Sequence, residues 1–394
     1  VASTTMFRTN ATLDAVSDPP VAQAKRWVAD RTFRDDHPLL DLSQAAPGYA
    51  PADELRSYLA ELVMRPATST YTPVLGLADV RAVVAADTAR RYAGDVGPDS
   101  VMITAGCNQA FCLAIGALCA PGDEVVLPAP WYFNHDMWLR ANGIRPVPVH
   151  CDAAASMIPS VGAIAAAITP RTRAIVLVTP NNPCGVTYPA AFIEAVADIA
   201  KSADIALVLD ETYETFRSTD EPAHALFARS DWSEVLVHLT SFSKSLSLPG
   251  YRVGALVAHA DLLTKAARLA DCQTIGAPHV GQLAVAFGLQ HLGSWIDARR
   301  HEMLDRVDAF GAALDGLTGW EVLSRGAFFA YVRHPFPGES ATSVCRRLAD
   351  DHDLLTIPGE CFGPDQTDCI RMAFGNVEAA AMPEIATRLA AASR

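Results

Sequence analysis

Seven short apolar runs, separated by longer amphipathic or polar stretches, occupy the chain from about residue 100 to 290. They are "SVMIT", "DEVVLP", "RPVPVH", "RAIVLVTP", "IALVLDE", "EVLVHLTS" and "RVGALVAH". Each reads as a buried strand. Between them lie helical patterns such as "NQAFCLAIGALC", "YFNHDMWLRANG" and "AAFIEAVADIAKSA". Strands alternating with helices build βαβ units, so the expected fold class is α/β with a mostly parallel central sheet. Ligands on such a sheet sit beyond the carboxyl ends of its strands. One stretch, residues 101–120, carries no charge and has nearly the length of a membrane span. It contains Asn108, Gln109 and an early glycine, and nothing similar follows. It is read as strand, turn and helix, and no membrane partner is expected.

After residue 290 the pattern changes. "SWIDARRHEMLDRVDAFGAALDGL" is a long amphipathic helix; "WEVLSRGAFFAYVRH", "LLTIPG" and "CIRMAFG" read as strands; "MPEIATRLAAAS" closes as a helix. The expectation is a large domain over 51–290 and a smaller α+β domain over 291–394. Residues 1–50, too broken to fold alone, are expected to pack with the smaller domain. No internal repeat, low-complexity tract or long linker interrupts this plan.

The chain has 394 residues, half of them hydrophobic, so a large buried core is feasible. A formal net charge of −13 argues against nucleic acid as the main partner. It leaves room for a local basic pocket that binds a small anion. The nine cysteines form no CxxC pair, and no HExxH is present, so zinc spacing is absent and no metal is expected. The thiols sit in apolar stretches, as buried free cysteines do, which points to a reducing cytoplasm. The opening "VASTTMFRTNATLD" lacks a positive segment followed by an apolar core, so no secretory leader is expected.

Four strand ends deliver polar residues. In "TAGCNQAF", Gly106, Cys107 and Asn108 open a helix whose free N–H groups make an anion site. Most such helix starts bind nothing. "TPNNPCG" presents Asn182 in a turn, and Asx-Pro turns are common without function. "LVLDETY" ends a buried strand with Asp210 and sets Tyr213 three residues on; the ordinary reading of Asp210 is a helix cap. "SFSKSLSLPGYRVG" sets Ser241, Ser243, Lys244 and Arg252 in a segment otherwise small and apolar. Desolvation there lowers a lysine pKa and frees the amine as nucleophile or base. Together these are parts for holding pyridoxal 5'-phosphate: an amine, a carboxylate for the ring nitrogen, a phenol and an amide for the ring oxygen, and donors for the phosphate.

The lysine segment identifies the chain as similar to the fold type I, class I/II aminotransferases. It fits their lysine-attachment signature at every constrained position. "NNPCG", "DETY", "YTPVLGLADVR" (71–81), "PAPWYFNH" and "IRMAFGN" resemble further segments of that family, and the likeness spans about 40 to 376. The resemblance implies a fold type I large domain, with the smaller domain built from both chain ends. It implies that Lys244 is the Schiff-base lysine and proton shuttle, that Asp210 pairs with the pyridinium nitrogen, and that Tyr213 and Asn182 bond the ring oxygen. Tyr132 would stack on the ring, with His135 supporting Asp210. Gly106, Cys107, Asn108, Ser241, Ser243 and Arg252 would hold the phosphate. Tyr71 would reach the phosphate of a neighbouring subunit, which implies a homodimer with shared sites. Arg371 would clamp the substrate α-carboxylate.

Two positions depart from the family pattern. Ala45, in the substrate-binding loop "LSQAAPGY", stands where glycine is frequent, and its methyl would narrow the pocket. Cys184 stands where threonine or serine is usual in the Asn-Pro-x-Gly turn, with little effect expected. Tyr49, Trp131 and Phe328 hint at a bulky or apolar substrate side chain, a hint that core packing explains nearly as well. The expected reaction is amino transfer between an L-α-amino acid and a 2-oxo acid. A C–S β-lyase or an aminocyclopropane-carboxylate-synthase-like enzyme shares the same motifs and stays open. A transcription regulator on this fold would need a DNA-binding domain, and the forty residues before "LLDLSQ" are too few and not basic enough.

Overall fold

The computed structural model describes residues 8–393, so the first seven residues of the opening stretch lie outside the described residues. All seven apolar runs are strands of one sheet. Its order is Val101–Thr104, Gly254–Val257, Leu236–Ser241, Ala206–Asp210, Thr172–Val178, Glu124–Ala129 and Arg145–His150. Every pairing is parallel except the two made by Gly254–Val257.

Helices cover both faces. Val126, Ile175, Leu177, Leu207 and Leu209 pack with residues of the helices Ala78–Tyr92, Ala190–Ser202 and His279–His291. Val125, Leu127, Val176, Val208 and Leu239 pack on the other face with Cys107–Leu118 and Ala260–Gln273. Successive side chains of a strand point to opposite faces, so a strand covered on both sides must be apolar throughout. Arg145–His150, at the sheet edge, is only partly covered, and only its Pro146 and Val149 are buried. Each fully buried leucine or valine contributes about 1.5–3 kcal/mol, and it is this core that holds the strand ends rigid.

The parallel registers align the ends that carry chemistry. Val178 pairs with Asp210 and Asp210 with Leu239. Gly254 pairs with Thr104 on one side and Ser241 on the other. The turns after residues 104, 178, 210 and 241 therefore open along one edge.

A second sheet is antiparallel, in the order Ile357–Pro358, Cys369–Ala373, Phe329–Arg333 and Glu321–Gly326. "WEVLSRGAFFAYVRH" is thus a hairpin, turned at Ala327 and Phe328, with Ala327 at φ 46°. Leu40–Asp41 pairs with Leu354–Leu355. Leu42 joins the core that contains Phe328, Met372 and Ile385. Ala11–Ala15 lies instead against the helix Phe133–Ala141. Residues 101–120 form a strand, a turn and the helix Cys107–Leu118. Among the described residues, no helix is long and apolar enough to cross a membrane.

Candidate active site

The turns after the parallel strands, the end of the second sheet and the N-terminal helix Pro20–Trp27 enclose a cavity of about 640 Å³. Lys244 reaches it from the one-turn helix Phe242–Ser245. Ser241 starts that turn by accepting a hydrogen bond from the Ser243 N–H at 3.3 Å. The Lys244 ammonium donates to the Ala45 carbonyl and lies 5.9 Å from the centre of the Tyr213 ring. Burial, with the charges of Arg252 and Arg371, brings its pKa down to about 8.

Asp210 ends its strand with 4% of its surface exposed. Burial pushes its pKa up, but the His135 imidazole and the Thr212 N–H more than offset this, and the carboxyl is held below its ordinary range. Thr212 N–H donates at 3.0 Å. His135 Nε2 lies 3.4 Å from Oδ2, within ion-pair range but without hydrogen-bond alignment. The His135 ring is fixed by stacking on Phe111, with centroids 3.8 Å apart. The Cys107 thiol also faces Asp210, at 3.5 Å, and burial keeps it protonated. The side chain of Cys107 therefore points at the carboxylate; its backbone belongs to the helix start.

That helix start is tightly built. Gly106 caps Cys107–Leu118 at φ 86°, where glycine is favoured. A Cβ there would strike the Arg252 guanidinium, and one on Gly254 would lie 2.7 Å from the Cys107 nitrogen. Arg252 itself is in the left-handed region, at φ 51°, and donates to Pro249 O at 3.0 Å. Helix N–H groups, two serines and a guanidinium thus face one end of the cavity, a donor set suited to a dianion.

The opposite end is built on Arg371. It is 2% exposed, and the rings of Phe133, Phe329 and Phe362 pack around its guanidinium. It donates to Asn182 Oδ1 at 3.1 Å and to the Ser43 carbonyl. Both acceptors are neutral, Nε has no partner, and burial lowers the pKa to about 10. A buried guanidinium without a carboxylate is costly unless a ligand supplies one. Tyr132 and Tyr213 line the space between the two ends. Burial pushes the Tyr132 phenol up to about 12 and that of Tyr213 well above the ordinary range. Asn134 donates to the Tyr132 oxygen at 2.9 Å. A phosphate at one end, a ring nitrogen on Asp210 and a carbonyl carbon near Lys244 all find chemically matched groups, so the residues present fit pyridoxal 5'-phosphate.

Tyr71, expected to serve a neighbouring subunit, is 80% exposed and does not line the cavity of its own chain. One expectation about the cavity is not met. Tyr49, Trp131 and Phe328 do not form its wall: Tyr49 packs edge-on to Trp295, Trp131 against Gly363, and Phe328 against Tyr213 and Phe216. The hint of a bulky substrate drawn from these three falls away. Ala45 does line the cavity, and its carbonyl holds Lys244. Cys184 N–H donates to Asn181 Oδ1 at 3.0 Å, a bond internal to the turn. Unforeseen are Val21, Ala22 and Lys25 of the N-terminal helix, together with Gln44 and Thr212. Thr212 lay inside the "DETY" segment, whereas nothing local tied residues 20–27 to a site 200 positions away.

The family model "Aminotransferase class I and II" matches residues 37–389. An aromatic aminotransferase of Arabidopsis thaliana is 28% identical over 379 residues, covering 94% of this chain and 92% of that protein. An arginine–pyruvate transaminase of Pseudomonas aeruginosa is 31% identical over 303 residues, 77% of each chain. The structure of an aspartate aminotransferase from Thermus thermophilus with maleate superposes with a TM-score of 0.89 at 22% identity, covering 98% of this chain and 100% of that one; at that identity it speaks for the fold. With a family match across nearly its whole length and the fold to go with it, the chain belongs to the class I and II aminotransferases.

Proposed function

We propose that this aminotransferase holds pyridoxal 5'-phosphate on Lys244 and moves an amino group between an L-α-amino acid and a 2-oxo acid. The observation that carries the reading is the Lys244 amine. It has a pKa of about 8 in a cavity with an ionised carboxylate on one side and an unpaired guanidinium on another. When bound, the cofactor supplies an aldehyde that exchanges amino groups and a protonated ring that draws electrons from the substrate α-carbon. Asp210 keeps the ring nitrogen protonated. Asn182 and Tyr213 would donate to the ring oxygen, and Tyr132 would pack on the ring. Ser241, Ser243, Arg252 and the helix start at Gly106, Cys107 and Asn108 bind the phosphate. Arg371 orients the substrate by its α-carboxylate, and Lys244 Nζ takes the α-proton and returns it.

The test is a half-reaction of the yellow holoprotein with single L-amino acids and no 2-oxo acid. The colour should bleach once, in stoichiometric amount, and return when a 2-oxo acid is added. Persistent colour with accumulating pyruvate and ammonia, or a cyclised amino acid, would instead make the enzyme a lyase or synthase. A second expectation concerns Arg371. Arg371→Lys keeps a charge but loses the two-pronged fork, so KM for amino acids should rise roughly 10- to 100-fold, more than kcat changes. An unchanged KM would remove Arg371 from substrate binding.

The active form is proposed to be a homodimer, with Tyr71 serving the partner's phosphate. In support, Met64 and Tyr71 are both about four-fifths exposed, Val63 is exposed too, and Ile275 is exposed beside Gly276, which abuts Thr72 next to Tyr71. Refolding Tyr71→Ala chains with Lys244→Ala chains should yield hybrids with one intact site each. Random pairing would restore about a quarter of wild-type sites. Activity no higher than the average of the parents would mean that sites are not shared. The division at residues 50 and 290 is likewise proposed, as is a cytoplasmic setting, which the nine free cysteines favour.

A further inference from the structure

Among the described residues, four cations line the cavity: Lys25, Lys244, Arg252 and Arg371. The function proposed above employs three of them, and the inference that follows rests on that function. We propose that Lys25, together with Gln44, reads the side-chain carboxylate of a substrate. One of the two substrate pairs is then a dicarboxylic amino acid and its 2-oxo diacid.

Lys25 belongs to the helix Pro20–Trp27, which turns Val21, Ala22 and Lys25 toward the cavity; Val21 and Lys25 are one turn apart. Three consecutive residues gather three of the four cations. The Ser43 carbonyl accepts from Arg371, Gln44 Oε1 accepts from Lys25 Nζ at 2.8 Å, and the Ala45 carbonyl accepts from Lys244. Consecutive Cα atoms are about 3.8 Å apart. The α-carboxylate clamp and the Lys25 ammonium are therefore anchored on neighbouring residues and line the same cavity.

The chemistry of the pair suits a carboxylate. With Oε1 turned to the lysine, the Gln44 amide presents its two N–H groups as donors beside an ammonium that still has donors to give. Asp41 Oδ2 lies 3.9 Å from Nζ, while its Oδ1 accepts from the Ser43 N–H at 2.9 Å and the Ser43 hydroxyl at 2.5 Å. At that distance, and with the lysine side chain 48% exposed, Asp41 holds Lys25 only weakly. Asp210, the sole carboxylate among the described residues that line the cavity, is engaged by Thr212 and faces His135. An apolar side chain laid on Lys25 and Gln44 would cover donors without replacing their water; a second carboxylate accepts from both.

The experiment compares wild type with Lys25→Met and Lys25→Arg, all as holoproteins. Transamination is followed with 2-oxoglutarate and with pyruvate from a common amino donor. Binding of the unreactive acids succinate and propionate is followed by calorimetry. Wild type should favour 2-oxoglutarate over pyruvate and succinate over propionate. Because the contact is partly exposed, Lys25→Met should lower both ratios roughly tenfold, and Lys25→Arg should keep most of each. A merely structural lysine would weaken diacid and monoacid alike and leave the ratios in place, which overturns the inference. So does a wild type that prefers the monoacids. Failure of the parent function reads differently: without any 2-oxo acid the colour would then persist while pyruvate and ammonia, or a cyclised amino acid, accumulate, whatever the succinate-to-propionate ratio does.

Discussion

Lys244→Ala should fold, retain non-covalent cofactor and lose steady-state amino transfer by at least about 10⁴-fold. A positioned general base contributes about 10²–10⁴, and here the same Nζ also anchors the cofactor, so both contributions disappear together. The phosphate-facing groups, Ser241, Ser243, Arg252 and the start of Cys107–Leu118, are untouched by the substitution. Folding should not suffer either. The amine sits near Arg252 and Arg371, and its lowered pKa says that its charged form is disfavoured in the folded state. The sign follows from linkage: between about pH 8 and the ordinary lysine range the unfolded chain binds the extra proton, so wild-type apoprotein gains stability as pH rises through that window. Lys244→Ala should lack this rise in a thermal-unfolding series. The same pKa sets availability. At pH 7.5 about a quarter of a group with pKa 8 is neutral, against roughly one in a thousand for an ordinary lysine. Attachment of cofactor to wild-type apoprotein, trapped by borohydride and located by mass spectrometry, should speed up with pH and level off above about 8. Near wild-type turnover in Lys244→Ala, or attachment at another residue, would defeat the assignment.

Strand positions were legible because helices cover both faces of the sheet, leaving its inner strands no room for polar side chains. Val176, Leu177, Val208 and Leu209 are all fully or almost fully buried, as a short, continuously apolar run bounded by turn residues requires. The groups that gather at the cavity were legible for a related reason. Asp210 closes such a run and Lys244 comes three residues after another, so local sequence states both the strand and what its end presents. Contacts made over long separations were not. Arg371 meets Ser43 across 328 positions, and Lys244 meets Ala45 across 199. Those approaches depend on how Leu40–Asp41 pairs with Leu354–Leu355 and how the second sheet sits against the first. The helix Pro20–Trp27 is eight residues long with no side-chain cap, a weak signal whose inward face is set by that packing alone. The aromatic hint failed for the converse reason. Tyr49, Trp131 and Phe328 are large apolar side chains, and burial in the core is their commonest use.

Asp210→Asn should cost two to four decades in kcat/KM while leaving the fold intact. Asparagine has nearly the same shape, and its carbonyl oxygen can still accept from the Thr212 N–H that now donates at 3.0 Å. What disappears is the negative charge. Breaking a buried ion pair from one side costs about 3–5 kcal/mol. If the ring nitrogen pairs with Asp210 as the substrate α-proton leaves, that cost falls on the transition state and converts to roughly 10²–10⁴ in rate. Asp210→Glu, which keeps the charge at a displaced position, should be milder. His135 supplies an internal control. Its imidazole, 3.4 Å from Oδ2, helps hold the carboxyl below its ordinary range, so His135→Phe should raise the Asp210 pKa. A carboxyl with a raised pKa gains its proton at higher pH, so the acid limb of the kcat/KM profile should move upward while the rate at its plateau changes less. A residue that served only to pack against Phe111 would lower the plateau and leave the limb where it was. If Asp210→Asn loses less than tenfold and His135→Phe leaves the limb in place, Asp210 is merely capping the turn at Thr212, and the charge on the ring nitrogen must be held by another group.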